Sequence, residues 1–241
     1  MTNKTLIFGH RGVPVKFPEN SLAGFKYALD HGIDGLEFDV HLTKDNIPVI
    51  IHDETINRTT NGSGRVVDFT KSELSSFRLS NGERIPTLSE VLKLLQFQPV
   101  YINLEFKTDQ IHYPGIEKKV LALTQQAKLI HPVIFSSFDL QTLRICREID
   151  AHQSYNLLSS SKRIKDPKNF VINEGLTGLH TSHYQFSSVL QRSWTVNNAL
   201  KAFLLLTFGV SGIITDDFEK ITAVRDNYRL DGNLFTQLIG H

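Results

Sequence analysis

The chain has one cysteine, Cys146, in 241 residues, so no internal disulfide can form. Cys146 lies in DLQTLRICREI, whose apolar positions recur at helical spacing, and it reads as a packing residue rather than a reactive thiol. Long apolar runs are missing too: the longest, AFLLLTFGV from Ala202 to Val210, falls well short of the roughly 20 residues of a spanning helix. It reads as a core helix, with a membrane-surface or homodimer contact as the alternative. Charge of one sign is not in excess, because 26 Lys and Arg face 25 Asp and Glu. A net charge of +1 provides no field to gather nucleic acid, and no Lys/Arg run is interleaved with aromatics, so nucleic acid is excluded as the expected partner. MTNKTLIFGHRG is too short in apolar residues for a signal peptide, and a cytoplasmic address is the default expectation.

What the chain does have is alternation. Short β-type runs (LIFGH, GLEFDV, VIIHD, VYINLEFK, PVIFSSF, QSYNLL, LTGLHTSH, VLQRSWTV, GIITDD) alternate for much of the chain with helical patterns such as SLAGFKYALDHG and GIEKKVLALTQQAK. That order predicts parallel strands joined by helices, and about eight of them in one domain spanning 1–241 predict an α/β fold of the (β/α)8 barrel type. A doubly wound open sheet is the runner-up, and the GxGxxG fingerprint it often carries is missing. Between Asp53 and Pro86 the composition turns to Asn, Gly, Ser and Thr, which predicts an inserted module, residues 53–86, after the strand that ends at His52, shaping the pocket or, as the alternative, packing on the outside. Only YQFSSVLQR, residues 184–192, separates the LTGLHTSH strand from SWTVN. The sixth helix is therefore expected to be truncated and the barrel wall open there. The polar SSSKRIKDPKNF predicts a short or frayed helix before it.

Side chains alternate faces along a strand, so Glu37 and Asp39 of GLEFDVH share one face, as do Asn103, Glu105 and Lys107 of YINLEFK. In a barrel this polar face points inward, where uncompensated charge costs several kcal/mol. Two partners could offset it. A divalent cation held by the three carboxylates Glu37, Asp39 and Glu105 is one, and all-oxygen ligands suit Mg²⁺ or Ca²⁺. Buried ion pairs, Lys107 with Glu105 and Arg11 with Asp39, are the other, and spacing leaves the two level. His10 and His52 close two predicted strands and could divide a proton donation and a proton abstraction. Arg11 offers a planar fork to a phosphate oxygen and Lys107 a second positive charge. Together these groups describe a site for an anionic phosphorus ester. In PENS, Asn20 or Ser21 is expected to cap the helix beginning SLAGF, with Glu19 and Asn20 bracing the loop beneath His10.

HRG at 10–12, PENS at 18–21, GLEFDVHLTKDNIPVIIHDETINRTTNGSGRV at 35–66, IPTLSEVL at 85–92 and INLEFK at 102–107 resemble the glycerophosphodiester phosphodiesterases. Weaker echoes follow in FSSF, SWTVN and GVSGIITDDF, so the likeness spans nearly the whole chain. The resemblance implies a TIM-type barrel with residues 53–86 as the inserted module, and hydrolysis of a small glycerophosphodiester substrate to glycerol 3-phosphate and an alcohol. It implies His10 and His52 as acid and base, Glu37, Asp39 and Glu105 as ligands of one divalent cation, Arg11 and Lys107 on the phosphate, and Trp194 near the glycerol. Two alternatives stand beside it: the same chemistry on a lysophospholipid or glycerophosphate polymer, and a barrel that binds a phosphorylated metabolite without turnover.

Overall fold

The computed structural model describes residues 5–160 and 163–239, with side chains described through Tyr228. The ends of the 1–241 span, and Ser161 and Lys162 of the polar stretch, lie outside the described residues. In chain order the elements are β1 (Leu6–His10), α1 (Leu22–Asp30), β2 (Gly35–Leu42), β3 (Pro48–Ile50), α2 (Lys71–Leu74), α3 (Leu88–Leu95), β4 (Tyr101–Phe106), α4 (Ile116–Gln126) and β5 (Ile134–Ser137). There follow α5 (Leu140–Ile149), β6 (Ser154–Ser159), α6 (Pro167–Asn173), β7 (Gly178–Thr181), β8 (Leu190–Ser193), α7 (Ala199–Thr207), β9 (Gly212–Thr215) and α8 (Phe218–Ile239).

Eight strands pair in parallel in the order β1, β9, β8, β7, β6, β5, β4, β2, and β1 pairs with β2 to close the barrel. All eight residues of β2 are buried, as expected for a strand covered on both sides. Leu36, Phe38 and Val40 join the main apolar core beneath the helices, leaving Glu37 and Asp39 for the interior. The helices start where local chemistry supplies donors with partners. Ser21 caps α1 by accepting from the Gly24 amide, and Thr87 with Glu90 makes a reciprocal capping box on α3. In α3 the buried residues are Leu88, Val91, Leu92 and Leu95, one stripe at helical spacing.

Two expectations need correcting. The VIIHD run is not a barrel strand: β3 runs antiparallel to the end of β2, pairing Val40 with Ile50 and Leu42 with Pro48. Five residues, 43–47, connect the two strands, enough for a hairpin and far too few for a crossover helix. Nor is the wall open at the lost helix. Residues 182–189 form no helix, yet Gly178–Thr181 pairs along its length with Leu190–Ser193, because backbone pairing between neighbouring strands does not need a covering helix. The polar stretch before it ends in the seven-residue α6.

In α7, Ala202, Leu205 and Leu206 are buried as the core reading requires, while Leu200, Phe203 and Leu204 face outward. Residues Val49, Ile51, Ile56, Val66, Leu74, Leu79 and Ile85 form a separate small apolar cluster, so the 53–86 segment packs on a small core shared with the β3 hairpin. Cys146 is buried.

Candidate active site

β1 carries His10 to the mouth of the barrel, and the chain then turns sharply. Arg11 adopts a left-handed backbone with φ of 52°, and its amide donates to Glu37 Oε2 at 3.0 Å. A side chain at Gly9 would lie 2.4 Å from the Gly12 carbonyl oxygen, so the turn needs glycine there. Asn20 is also left-handed, with φ of 56°, and its amide donates to the Arg11 carbonyl at 2.8 Å. Ser21 is the cap; Asn20 instead turns its side chain inward, where Nδ2 donates to Asp39 Oδ2 at 2.9 Å.

Glu37, Asp39 and Glu105 converge: one oxygen from each lies within 4.8 Å of the others, and all three side chains are buried. β2 and β4 pair Asp39 with Glu105 and Glu37 with Asn103, which is why the alternating residues meet. Both ion pairs weighed from the sequence also occur. Lys107 Nζ donates to Glu105 Oε1 at 2.9 Å, and Arg11 Nε lies 3.6 Å from Asp39 Oδ2. Two cations do not neutralise three carboxylates. Burial first, and then the charges of Asp39 and Glu105, raise Glu37 well above the usual carboxylate range. Burial, then Asp39, pushes Glu105 up to about 7. Burial opposes the Asp39 charge as well, but His52, Arg11, Lys107 and the Asn20 hydrogen bond together hold it below its ordinary value. Asp39 Oδ1 and Asn103 Oδ1 are buried without a hydrogen-bond partner. An excess of buried negative charge and unpartnered oxygens, with no sulfur or imidazole in the set, fits a hard divalent cation.

The two histidines are each held by a carboxylate. His10 Nδ1 donates to Asp216 Oδ1 at 2.6 Å, and His52 Nδ1 donates to Asp53 Oδ1 at 2.7 Å. Because carboxylates only accept, each imidazole has its Nδ1 proton fixed, which leaves Nε2 as the nitrogen that can exchange a proton. Lys107 Nζ donates to His52 Nε2 at 3.3 Å. Burial, together with the Lys107 and Arg11 charges, keeps His52 below the ordinary histidine range despite the pull of Asp39 and Asp53. Lys107 retains its proton more firmly than a free lysine: burial works against it, but Glu105 and Asp39 outweigh burial.

One cleft gathers these groups. His10, Arg11, Glu37, His52, Asn103 and Glu105 line its polar side, and Phe138, Leu158, Trp194 and Ile214 its apolar side. Lys107 reaches it through His52 and Glu105. Of the eight residues expected from the sequence, six line the cleft, and the other two meet residues that do: Lys107 meets His52 and Glu105, and Asp39 meets Arg11. Trp194 meets Phe138 edge-on, with ring centroids 5.5 Å apart.

Several supporting residues went unread in the sequence. Asp53 and Asp216 orient the histidines; the HD pair at 52–53 was a local signal, whereas Asp216 lies 206 residues from His10. His41, two residues beyond Asp39 on β2, is fully buried. Its Nε2 donates to the His52 carbonyl at 3.0 Å and its Nδ1 accepts from the Tyr113 hydroxyl at 2.9 Å, and burial holds it neutral. Replacing His41 with Ala strands that hydroxyl and carbonyl, at an expected cost of about 1–3 kcal/mol, read as a lower urea midpoint with unchanged slope.

Comparison with known proteins shows the family and the fold. Residues 10–220 match the profile of the glycerophosphoryl diester phosphodiesterase family. A glycerophosphodiester phosphodiesterase of Caldanaerobacter subterraneus subsp. tengcongensis is 36% identical over 235 residues, covering 90% of this chain and 96% of its own. One from Bacillus altitudinis is 34% identical, covering 93% of this chain and 100% of its own. Among solved structures, an Oleispira antarctica phosphodiesterase in complex with the product sn-glycerol-3-phosphate superposes with a TM-score of 0.83 at 26% identity, over 92% of this chain and 97% of that one.

Proposed function

The chain belongs to the glycerophosphoryl diester phosphodiesterase family and is an enzyme of that class, and from that premise we propose how its residues divide the reaction. The substrate is a small glycerophosphodiester, and the products are glycerol 3-phosphate and an alcohol. The observation that carries the reading is the meeting, in one cleft, of two carboxylate-oriented imidazoles with a buried triad of acids and two fixed cations.

Arg11 and Lys107 hold the phosphoryl oxygens, the first through its planar fork and the second as a point charge. His52 is the base. It rests neutral, its one Nε2 lone pair facing Lys107 at 3.3 Å, and once Lys107 turns to a phosphoryl oxygen that lone pair takes the proton of the attacking hydroxyl. His10 is the acid and delivers a proton from Nε2 to the departing alkoxide as the phosphorus–oxygen ester bond breaks. Trp194 and Phe138 form the apolar wall against which the glycerol carbons lie. Glu37, Asp39 and Glu105 would hold a single Mg²⁺ or Ca²⁺, which when bound withdraws charge from the phosphoryl group. Asn20 and the Arg11 amide keep the Asp39 and Glu37 oxygens aimed.

The same reading takes the chain as one catalytic barrel domain with residues 53–86 as its pocket-shaping insertion, since Asp53 comes from that segment. Among the described residues no helix is long and apolar enough to cross a membrane. We place the reaction in the cytoplasm, where a lone buried thiol stays reduced. The test is release of glycerol 3-phosphate from glycerophosphocholine, glycerophosphoethanolamine and a lysophospholipid. Turnover is expected with the first two. No release from any of them, with Mg²⁺ or Ca²⁺ supplied, defeats the proposal.

A further inference from the structure

We propose that Arg58, in the inserted loop after His52, is a positioning residue: its single guanidinium locks the carboxylate behind His52 to the carboxylate behind Arg11, and so sets the distance between His52 and Arg11 in the cleft. Nε and Nη2 donate to Asp53 Oδ2 and Oδ1 at 2.7 and 2.8 Å. On the other edge, Nη1 and Nη2 donate to Glu19 Oε2 and Oε1, both at 2.7 Å. Each carboxylate is shared with a cleft residue. Asp53 Oδ1 also accepts from His52 Nδ1 at 2.7 Å, and Glu19 Oε1 also accepts from Arg11 Nη1 at 3.2 Å. The path from imidazole to phosphate-binding fork therefore runs through one planar group.

Arg58 does not line the cleft, so it acts through its partners. Its side chain is 49% exposed, and exposed ion pairs ordinarily contribute little to stability. Two bidentate edges on one rigid plane contribute geometry instead, and a lysine, a single charge on a flexible stem, cannot supply it. The mount is rigid as well. Ile56 is fully buried in the small core that the insertion shares with the β3 hairpin, its amide donates to the Gly64 carbonyl at 3.0 Å, and the Gly64 amide donates to Asn57 Oδ1 at 2.8 Å. Asp53 is held well below the usual carboxylate range, by Arg58 first and by His52 after burial is offset. The insertion thus reaches back to the β1–α1 loop at one point beside the site.

This inference rests on the phosphodiesterase reading, and the test separates the two. R58K and R58Q are compared with the parent for glycerol 3-phosphate release and for Tm. In both variants kcat is expected to fall by about tenfold or more, with KM changed less than about threefold and a cooperative melt retained. A role of charge alone would be rescued in R58K, so parental kcat in R58K overturns the proposal, and so does loss of the fold together with activity. A double-mutant cycle on E19Q and D53N keeps Arg58 in place: the two carboxylates meet through it, so their losses are expected to be non-additive, and simple multiplication of the two losses overturns it. An inactive parent defeats the phosphodiesterase reading itself, whereas an active parent with an equally active R58K defeats only the role of Arg58.

Discussion

H10A and H52A each lose roughly 10² to 10⁴ in kcat on a glycerophosphodiester with an alkyl alcohol, the range expected for removal of a positioned proton carrier. Their behaviour parts when the leaving group changes. A nitrophenolate departs as a stable anion and needs no proton, so on the nitrophenyl ester of glycerol 3-phosphate H10A recovers to within about tenfold of the parent. H52A recovers nothing, because the attacking hydroxyl still has a proton to lose. The assignment follows from what each Nε2 meets. His52 Nε2 faces the Lys107 ammonium and so carries its lone pair and no proton, and Lys107 with Arg11 disfavours a third positive charge there. His10 has no such ammonium on its Nε2; its described partner is Asp216, on Nδ1. Recovery in H52A and not in H10A would reverse the two roles. Equal loss in both variants on both esters would remove proton transfer to the leaving group from the rate-limiting step.

Much of this site could be read from strand alternation alone. Glu37 and Asp39 are two apart on β2, Asn103 and Glu105 two apart on β4, and parallel pairing in register sets Glu37 beside Asn103 and Asp39 beside Glu105. A period of two is a property of the backbone, so it needs no tertiary information. His10 and Arg11 were legible for the same reason, as the residues on which an apolar strand ends. What stayed hidden were contacts between loops. Asp216 follows β9 and reaches His10 only because β1 and β9 close the barrel side by side. Glu19 and Arg58 sit in different loops, 39 residues apart, and meet through two hydrogen bonds. The misreading of VIIHD has a similar origin: a short apolar run looks the same whether it enters the barrel or folds back as a hairpin, and only the connection length distinguishes them. The lost helix between β7 and β8 was readable as a length, yet its consequence for the wall was not, because closure depends on β7 and β8 pairing and not on their cover.

Chelation is expected to abolish turnover, and resupply of Mg²⁺ or Ca²⁺ to restore it, with the cation that restores it at the lower concentration identifying the site's preference. The cluster makes a second, activity-free prediction. Glu37 lies well above its ordinary 4.5, and Glu105 is shifted from the same value to about 7, both chiefly by burial and then by neighbouring carboxylates. In the cation-free folded protein these carboxyls keep protons that the unfolded chain releases, so the folded state binds more protons than the unfolded one above pH 4.5. Their contribution to stability is present below that value and is lost as pH rises toward and through about 7. Asp39 is shifted downward, so its window lies below its ordinary 3.8 and does not overlap. A cation must displace the retained protons to bind, and its binding free energy adds to folding. The rise in Tm on adding saturating cation is therefore larger near pH 8 than near pH 6, since less of the binding energy is spent on deprotonation. D39N, which exchanges a cluster charge for a neutral amide, is expected to lose both the rise in Tm and the activity while remaining folded without cation. A parental Tm that ignores Mg²⁺ and Ca²⁺ at both pH values, with full turnover in the chelator, would leave Glu37, Asp39 and Glu105 as partners of Arg11 and Lys107 alone.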